Sequence, residues 1–571
     1  MTRRILIILL ILTFLLPVTG QVKKEGSELK REVTLYNPYK PSLADARKKS
    51  YLPEINDTTS VKPIFTYNVI SSPFTPTYQI NPIKSASLLS DPLPKLYKSY
   101  VKAGLGNYNT PYGELSITNL RSKKGAIGFY AKHHSSNGNV TLVNSQKVPA
   151  GFMDNNASMF GKKFFSKSIF DISADFIQKN RYAYGYNTET PYDFIKKDIK
   201  LGYFDIGADA SFSSLNLDST DFSYRFGIHY DYFKYASDQT MGHAGFIGTM
   251  SKLYKGFYVG ASLGFDHYKP SDSLYLKSKY IFSIAPYVSK STQQWNFSVG
   301  AELMLERNLE NSAKPHFYPK ISFGFSIVPE YMRFFAKLDG RLENNEPAKV
   351  FSENPFLVPD GSLFRVPNTS YPLILSAGLK GNDGIGGNYL ASVSYSVVNN
   401  MLLYSNIVYP DTAFRVERGN HFIIVPDDAE VLNIHGEMTG SITNKLSFNS
   451  SLNLYKYTLS ENEFAWNKPN WDGTLGLIYN LRNKIIAGVD LTLLGSRKLM
   501  ISQSPTGWMT LAPDVIEKPV HFNLGFSAEY RYTKILSFWL RVNNVSNERF
   551  YEWAFYPSQM FNFMLGFSYS L

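Results

Sequence analysis

The chain closes with FNFMLGFSYSL at positions 561–571, and its side chains alternate between two kinds. Successive side chains of a β-strand point to opposite faces of the sheet, so the alternation sorts them into two faces. One face carries Asn562, Met564, Gly566 and two serines. The stretch predicts a strand of a membrane barrel or the cover of a soluble core. Its apolar face consists of Phe561, Phe563, Leu565, Phe567, Tyr569 and Leu571.

The same alternation recurs along the chain from about residue 97 onward. It is clear in GFYVGASLGFDHY (256–268), KIIAGVDLTLL (484–494) and HFNLGFSAEYR (521–531). In each segment one face is free of charged side chains, while the other combines Gly, Ser or Asn with charges such as Asp266 and Glu529. An uncharged face toward lipid and a polar face toward water is the pattern of a transmembrane β-barrel.

Turn lengths support a barrel with two different ends. Short polar turns are interleaved with longer polar loops, and clear short turns are residues 122–124, 443–445, 481–483 and 532–534. Short turns are typical of the periplasmic side and long loops of the outer side. We predict an all-β fold, a transmembrane antiparallel β-barrel of about 22 strands over residues 96–571, whose last strand pairs with its first. A soluble two-sheet sandwich is the alternative, but one sandwich seldom needs so many strands.

The chain begins with MTRRILIILLILTFLLPVTGQ, residues 1–21. Two arginines precede an apolar run that ends in small or polar residues, which is the pattern of a secretory signal peptide. A membrane anchor is the alternative, although the run is shorter than a usual spanning helix. Residues 22–95 contain nine prolines and little alternation. We expect them to form an extended segment in the periplasm or the lumen, or a flexible leader.

Composition narrows the class of protein further. Aromatic residues make up 15% of the chain and charged residues 19%, a balance that suits the aromatic girdles of a membrane barrel. The net charge of +12 is scattered along the chain without a nucleic-acid-binding motif. We therefore expect anionic lipid, phosphates or acidic partners, and no nucleic acid. Cysteine is absent from the sequence, which excludes disulfides, thiolate metal sites and cysteine nucleophiles.

The sequence contains no convincing catalytic, cofactor or metal site. His133 and His134 are adjacent in a predicted strand and should point to opposite faces, which disfavours chelation of one ion. Asp427, Asp428 and Glu430 either offer oxygen ligands to Ca²⁺ or are hydrated carboxylates facing the lumen. HExxH and a Gly-Lys-Ser phosphate loop are absent from the sequence. GASLG at 260–264 has the GxSxG spacing but lies inside the alternating segment 256–268, whereas a nucleophile elbow requires a strand-to-helix turn. We expect a protein that is not an enzyme and uses no cofactor.

Aromatic residues cluster at several predicted outer strand ends. Examples are NRYAYGYN at 180–187 and RFYEWAFYP at 549–557. Such residues either form the interfacial girdle of the barrel or build a surface that stacks sugars or contacts a protein. The candidates for an outer aromatic contact surface are Tyr182, Tyr184, Tyr186, Trp466, Trp471, Trp508, Tyr551 and Trp553.

The run LRVNNVSNERFYEWAFYPSQMFNFMLGFSYSL at 540–571 resembles the closing hairpin of TonB-dependent receptors. In that family an Asn-rich turn precedes a Tyr-Pro element and a terminal aromatic strand. Residues 93–138 are similar to the start of plug-less receptor-like barrels of Bacteroidota. The resemblance implies a barrel in the outer membrane of a Gram-negative bacterium, inserted by the barrel-assembly machinery. The positions that match the closing hairpin are Asn543, Asn544, Asn547, Tyr556 and Pro557.

The family carries a folded plug before its barrel, whereas the Pro-rich residues 22–95 precede the barrel here. We therefore expect a barrel without a plug. A lumen enclosed by about 22 strands is wide enough to need filling. The candidates are residues 22–95, a separate subunit, and the long outer loops near 136–154, 183–200, 345–372 and 498–518.

Pattern and resemblance together imply a barrel that lets a ligand cross the outer membrane. The alternative is a non-enzymatic scaffold subunit of a larger outer-membrane assembly or secretion complex. In that case the Pro-rich segment and the outer aromatics would be docking surfaces for other outer-membrane or periplasmic proteins.

Overall fold

The computed structural model describes residues 97–119, 122–186, 195–215, 222–235, 238–309, 312–359, 361–384, 386–408, 420–503 and 514–571. The predicted signal peptide and the Pro-rich segment of residues 22–95 lie outside these ranges. Among the described residues, no helix has the length and hydropathy needed to cross a membrane.

The alternating segments form long strands, and the described residues contain 28 strands in all. The alternating segments 256–268, 484–494, 521–531 and 561–571 each coincide with one strand, because alternation of apolar and polar residues marks a strand along its whole length. In chain order they are β1 (Ser99–Gly106), β2 (Thr110–Thr118), β3 (Gly125–Ser136), β4 (Asn139–Thr141), β5 (Lys147–Pro149), β6 (Phe152–Phe164), β7 (Ser168–Tyr182), β8 (Lys200–Ser214), β9 (Ser223–Tyr235), β10 (Thr240–Tyr254), β11 (Phe257–Pro270), β12 (Lys279–Ser291), β13 (Trp295–Arg307), β14 (Ala313–Val328), β15 (Met332–Glu343), β16 (Thr369–Asn382), β17 (Asn388–Val408), β18 (His421–Thr443), β19 (Leu446–Leu459), β20 (Trp471–Leu481), β21 (Ile485–Leu494), β22 (Arg497–Gln503), β23 (Asp514–Lys518), β24 (His521–Arg531), β25 (Leu536–Asn543), β26 (Tyr551–Trp553), β27 (Tyr556–Pro557) and β28 (Asn562–Ser570).

The main sheet of the described residues has 24 strands. Two of them, β22 and β23, form a hairpin that branches from β17, which leaves 24 − 2 = 22 strands in the wall. Each wall strand pairs with the next one along the chain in antiparallel fashion, past the hairpins β4–β5, β22–β23 and β26–β27. The last strand, β28, pairs with β1. The predicted closed antiparallel barrel of 22 strands is confirmed.

The wall has the two predicted faces. On the closing strand, Leu565 and Phe567 are 56% and 44% exposed, and elsewhere Leu263 of β11 is exposed on the same outer face. Asp266, of the opposite parity on β11, belongs to the inner face and pairs there with His243. An apolar exterior suits hydrocarbon, and closure pairs the strand edges that lipid could not satisfy. These two features place the barrel in an outer membrane.

The barrel closes where β1 meets β28, and small residues make the junction possible. Gly104 of β1 lies opposite Gly566 of β28, and Trp539 of β25 lies opposite Gly566 on its other side. The Trp539 indole covers both glycines. A Cβ on Gly104 would lie 2.5 Å from the indole, and a Cβ on Gly566 would overlap the carbonyl oxygen of Ala103. Backbone and ring thus occupy the space that any side chain would need.

We expect Gly566→Val to impair closure of the barrel, because the added side chain would force β1 and β28 apart. Overpacking of this kind costs about 1–3 kcal/mol or more. Heat-modifiable migration on a gel, the signature of the folded barrel, should be lost or sharply reduced. Gly113→Val is the matched control, since a Cβ on Gly113 of β2 meets nothing within 4 Å. Identical migration of the two variants would contradict a requirement for glycine at this junction.

Candidate functional site: the capped lumen

The connection between β15 and β16, residues 344–368, fills part of the mouth of the barrel. It contains a short α-helix, α1 (Pro347–Glu353), that begins with a proline, which the first turn tolerates because its N–H groups have no helical acceptor. A connection this apolar is unfavourable in water, so it folds inward. The residues that it buries are Val350, Phe351, Phe356, Leu357, Leu363 and Phe364.

The inner face of the wall supplies the other half of this packing. Phe351 of α1 makes an edge-to-face contact with Tyr203 of β8, with 5.0 Å between the ring centroids. Phe364 contacts Phe233 of β9 in the same way at 5.8 Å. Aromatic pairs of this geometry contribute about 0.5–1.5 kcal/mol each beyond the area that they bury. Apolar contacts therefore hold residues 344–368 inside the barrel.

A second segment, the hairpin β26–β27, packs against the first. Tyr556 stacks on Phe356 with 3.8 Å between the ring centroids and donates a hydrogen bond to the backbone oxygen of Asn420. Trp553 makes an edge-to-face contact with Tyr404 at 5.2 Å. The sequence that resembles the family's closing hairpin thus also helps to close the mouth.

The outer ends of β17 and β18 form the third segment. β17 pairs in parallel with β22 through Ser405–Val408, and Phe422 of β18 exchanges backbone hydrogen bonds of 2.9 and 3.0 Å with Phe356 and Val358. These contacts, like the aromatic stacking, join chain segments that are far apart in sequence. We call the whole structure the cap, which comprises residues 344–368, the hairpins β26–β27 and β22–β23, and residues 401–408 and 420–427.

Cap and wall share one apolar core. The cap lies at the end of the barrel that carries the long connections, which is the outer end. Of the loops considered from sequence to fill the lumen, the described parts of 345–372 and 498–518 belong to the cap. Residues 139–149 form the separate hairpin β4–β5, which packs on Tyr186. Among the described residues, the protein's own connections therefore fill part of the outer mouth.

An ion pair ties the cap to the loop that follows β19. Lys468 donates a hydrogen bond of 2.9 Å to Glu353 at the end of α1, and their side chains are 29% and 28% exposed. Burial alone raises the pKa of the Glu353 carboxyl, but the charge and hydrogen bond of Lys468, with smaller contributions from a Tyr404 hydrogen bond and the Lys349 charge, hold the pKa below its ordinary value. The rim of the cap is thus fastened by charge while its centre is fastened by apolar packing.

The inner wall beside the cap is polar. It carries an ionisable cluster on β9, β10 and β11, in which His243 lies within 3.4 Å of both Asp231 and Asp266. Glu346 of the cap approaches the same histidine, with 3.7 Å between its Oε1 and His243 Nδ1. A wall lined by ionised and polar groups holds water readily, which is what a passage for a polar ligand requires.

Several aromatic residues predicted to form an outer contact surface lie inside the protein instead. Tyr186, Trp466 and Trp553 are at most 4% exposed, and each belongs to a different apolar cluster. Tyr184 packs against the same core as Trp553. Because inward folding of the outer connections draws these rings together with other apolar residues, they hold loops in place, and they do not offer a surface to a ligand.

The remaining candidates are placed differently. Tyr182, Trp471 and Tyr551 are half-buried, and the Lys518 ammonium lies 4.4 Å from the centroid of the Tyr551 ring. Trp508 lies outside the described residues. A contact surface at these positions stays a proposal, and it would be smaller than the sequence suggested.

Two of the three carboxylates considered as oxygen ligands for Ca²⁺ are engaged with the backbone, and the third, Glu430, is exposed. Asp427 accepts hydrogen bonds from the backbone N–H groups of Glu461 and Asn462 at 3.1 and 2.8 Å. Asp428 accepts one from the N–H of Asn400 at 2.9 Å. The Asp427 bonds fasten the loop after β19 to the outer end of β18, and the Asp428 bond joins β18 to β17, so the two aspartates position the neighbourhood of the cap.

His133 and His134 point to opposite faces, as their adjacency in a strand predicts. His133 Nδ1 lies 2.6 Å from Asn155 Oδ1. The His134 ring instead packs edge-to-face on Phe152, with 4.9 Å between centroids. Each ring therefore has its own environment within the wall.

Sequence reasoning missed two sets of residues, the apolar core of the cap and the ionisable cluster. The sequence contained a signal for the apolar core of the cap, because the stretch 350–366 is too apolar for a solvated loop. The sequence contained a partial signal for the ionisable cluster, since His229 and Asp231 are two positions apart and therefore share a strand face. The place of His243 beside them depends on the register of β9 and β10, which sets His243 opposite Asp231.

No family model and no curated protein matches the chain. Solved structures do match it. The FrpB iron transporter from Neisseria meningitidis aligns with a TM-score of 0.63 over 84% of this chain and 82% of its own, at 11% identity. The copper transporter OprC aligns with a TM-score of 0.60 over 83% of this chain and 80% of its own, at 13% identity. The ferric enterobactin receptor PfeA from Pseudomonas aeruginosa aligns with a TM-score of 0.59 over 83% of this chain and 80% of its own, at 11% identity.

The fold is that of a TonB-dependent receptor barrel. Identity this low establishes architecture alone, and the alignment covers 83% of this chain. The TonB-dependent receptor fold that the closing hairpin predicted is therefore confirmed. What those proteins bind is a property of their own sites.

We expect Phe351→Ala to loosen the cap, because Phe351 is 2% exposed and truncating a buried Phe costs about 3–5 kcal/mol. Amide hydrogen exchange of residues 346–358 should become faster, while the barrel keeps its heat-modifiable migration. Phe538→Ala on the outer face of β25 is the control, since Phe538 is 49% exposed and lies beside the short turn that begins β25, at the opposite end of the barrel from the cap. Unchanged exchange in the Phe351 variant would argue against an apolar anchor at α1.

The Glu353–Lys468 pair predicts a pH dependence of the cap. A lowered pKa means that the pair stabilises the cap fully above the ordinary glutamate pKa, and that this stability is lost as pH falls through the lowered value. Acidification should therefore reduce the exchange protection of α1 in the wild type. In Lys468→Met the carboxylate is buried without its partner, so its pKa should rise and acidification should increase protection instead.

Lys468→Arg is the control for this reversal, since it keeps the charge and should keep the wild-type direction. The measurement is the protection factor of α1 amides between about pH 7 and pH 4, corrected for intrinsic exchange, across the ordinary glutamate pKa. The same pH trend in all three proteins would show that the pair does not stabilise the cap.

Proposed function

We propose that this chain is an outer-membrane barrel through which a ligand passes, with the cap as its outer gate. The observation that carries the proposal is a polar-walled lumen whose outer mouth is partly filled by the chain's own connections. The match to the fold of named iron and copper transporters supports the same reading. On this proposal the protein is a transport protein and has no catalytic activity.

The construction of the cap suits a gate. Its central segment, residues 344–368, is joined to the wall by side-chain contacts and a few hydrogen bonds, such as that from Lys179 of β7 to Ser352 of α1 at 3.0 Å. Removal of those contacts would leave all 22 wall strands paired, because the cap lies in connections and strand ends. Movement of the cap therefore opens the mouth without opening the barrel.

The regions outside the described residues complete the proposal. We propose that residues 1–21 are a signal peptide and that residues 22–95 are an extended Pro-rich segment in place of a folded plug, as in plug-less barrels of Bacteroidota. Insertion would use the barrel-assembly machinery, and outer-membrane lipid would surround the wall.

A second function has its own supporting observation. The cap is closed by a continuous apolar core that runs from α1 to β26–β27, and such a core is also suited to a permanent seal. A sealed barrel would serve as a non-enzymatic scaffold subunit in a larger outer-membrane assembly or secretion complex. Its partners would be other outer-membrane or periplasmic proteins.

Conductance in planar bilayers tests passage directly. We expect little steady conductance from the full chain, and a large, stable conductance once residues 346–366 are replaced by a short Gly-Ser link, because the mouth then has no apolar core. A second variant also lacks residues 22–95, so that this segment cannot block the lumen. Phe522→Ala, on the lipid face, is the control and should conduct as the full chain does.

Absence of conductance from the doubly altered protein, with its heat-modifiable migration intact, would sink the transport proposal. Gentle detergent extraction followed by mass spectrometry tests the scaffold. Stoichiometric partner proteins would support it, whereas isolation of the barrel alone would count against it.

A further inference from the structure

We propose that the inner wall of the barrel binds a divalent transition-metal ion at a site formed by His229, His243 and Asp266, next to the cap. The site belongs to three adjacent strands, β9, β10 and β11. It stands whether or not a ligand passes through the barrel, because its evidence is the arrangement of these side chains.

Three potential ligand atoms converge on one point of the wall. The Nε2 atoms of His229 and His243 are 3.0 Å apart. Oδ1 of Asp266 is 3.0 Å from His243 Nε2 and 3.5 Å from His229 Nε2. Two ligands that bind a tetrahedral zinc ion at about 2.05 Å lie about 3.3 Å from each other. The distances between the three atoms are therefore close to those expected for three ligands of one ion.

Gly245 makes this convergence possible. It lies in β10 opposite His229 of β9 and opposite Asp266 of β11. A Cβ at this position would overlap the His229 ring and lie 2.7 Å from Asp266 Oδ1. Both side chains thus lean across bare backbone toward His243, which is two positions earlier on the same strand face.

The other nitrogen of His243 faces carboxylates. Its Nδ1 is 3.4 Å from Asp231 Oδ2 and 3.7 Å from Glu346 Oε1. A carboxylate that accepts the Nδ1 proton leaves Nε2 as a lone-pair donor, which is the form that binds metals. Carboxylate, imidazole and ion in this order are the usual arrangement around a protein-bound metal. The Tyr268 ring, stacked on His243 at 4.0 Å, fixes the plane of the imidazole.

Either protons or an ion would hold the triangle together, since His243 lies between Asp266 and Asp231 and its two ring N–H groups could donate to both. Nε2 of His243, Nε2 of His229 and Oδ1 of Asp266 are all able to accept, and close acceptors repel unless a positive charge lies among them. One proton joins two of the three atoms, whereas one metal ion satisfies all three.

The ligand set also indicates the kind of metal. Two imidazoles and one carboxylate suit Zn²⁺, Cu²⁺ or Fe²⁺ better than Mg²⁺ or Ca²⁺, which prefer oxygen alone. The side chains of His229, His243 and Asp266 are 26%, 11% and 32% exposed. Access from the lumen therefore leaves room for a water molecule or a ligand group at a fourth position.

The site would connect the wall to the cap. Glu346 precedes the first residue of α1, and its Oε1 accepts a hydrogen bond of 3.1 Å from the Tyr268 hydroxyl. An ion that fixes His243 would therefore also favour the position of Glu346 beside it. We expect bound metal to slow amide exchange in α1.

Zinc binding by the purified full chain in detergent tests the site. After treatment with a chelator, titration with ZnCl₂ in a calorimeter should reveal one ion per barrel. The double variant His229→Gln/His243→Gln should lose at least about tenfold in affinity. His435→Gln is the matched control, because His435 is also a wall histidine, bonded to Asn453 Oδ1 at 2.8 Å, and it should bind as the wild type does.

Two further variants keep the test decisive. Asp231→Asn removes no ligand of the triangle but weakens the support of His243, and loss of such support costs about 10–100-fold in affinity. Gly245→Ala fills the space that His229 and Asp266 share. Heat-modifiable migration confirms that each variant is folded. Equal zinc affinity in the wild type and the double variant, or no binding by the wild type below about 1 mM zinc, would overturn the proposal.

Discussion

Everything in this protein follows from the requirement that backbone N–H and C=O groups inside hydrocarbon find partners within the protein. A strand cannot satisfy its own groups, so strands can cross lipid safely only when the sheet closes. The pairing of β28 with β1 is therefore the contact on which the rest depends. It is made by backbone atoms and permitted by Gly104 and Gly566, whose missing side chains leave room for the Trp539 indole.

Closure of the sheet satisfies the strand edges that face lipid, but it also encloses a wide lumen. A ring of 22 strands encloses a lumen too wide for side chains of the wall to fill. The protein fills the mouth with connections that are apolar enough to prefer burial, and the aromatic residues of α1 and of β26–β27 meet there. Because the wall is complete without the cap, the cap is free to be either a movable gate or a fixed seal.

The interface between cap and wall combines two kinds of interaction. Apolar contacts such as that of Phe351 with Tyr203 depend little on pH or salt. The Glu353–Lys468 pair and the contact of Glu346 with His243 depend on charge, and so on protons and ions. Signals that act on charge can therefore change the stability of the cap while the wall stays intact.

The sequence alone determined the wall of this protein. Strand number, strand limits and the direction of each face follow from a period of two in the side chains, which is a local property. The ending in FNFMLGFSYSL and the family resemblance of residues 540–571 are local in the same sense.

Tertiary structure alone decided what lies inside the wall. Trp553 and Trp466 are aromatic residues at strand ends in the sequence, and nothing local distinguishes a ring at the membrane interface from one buried under a cap. His229, His243 and Asp266 meet because of the register of three strands and the absence of a side chain at Gly245. Such contacts join residues distant in sequence, and their positions are fixed only when the barrel has closed.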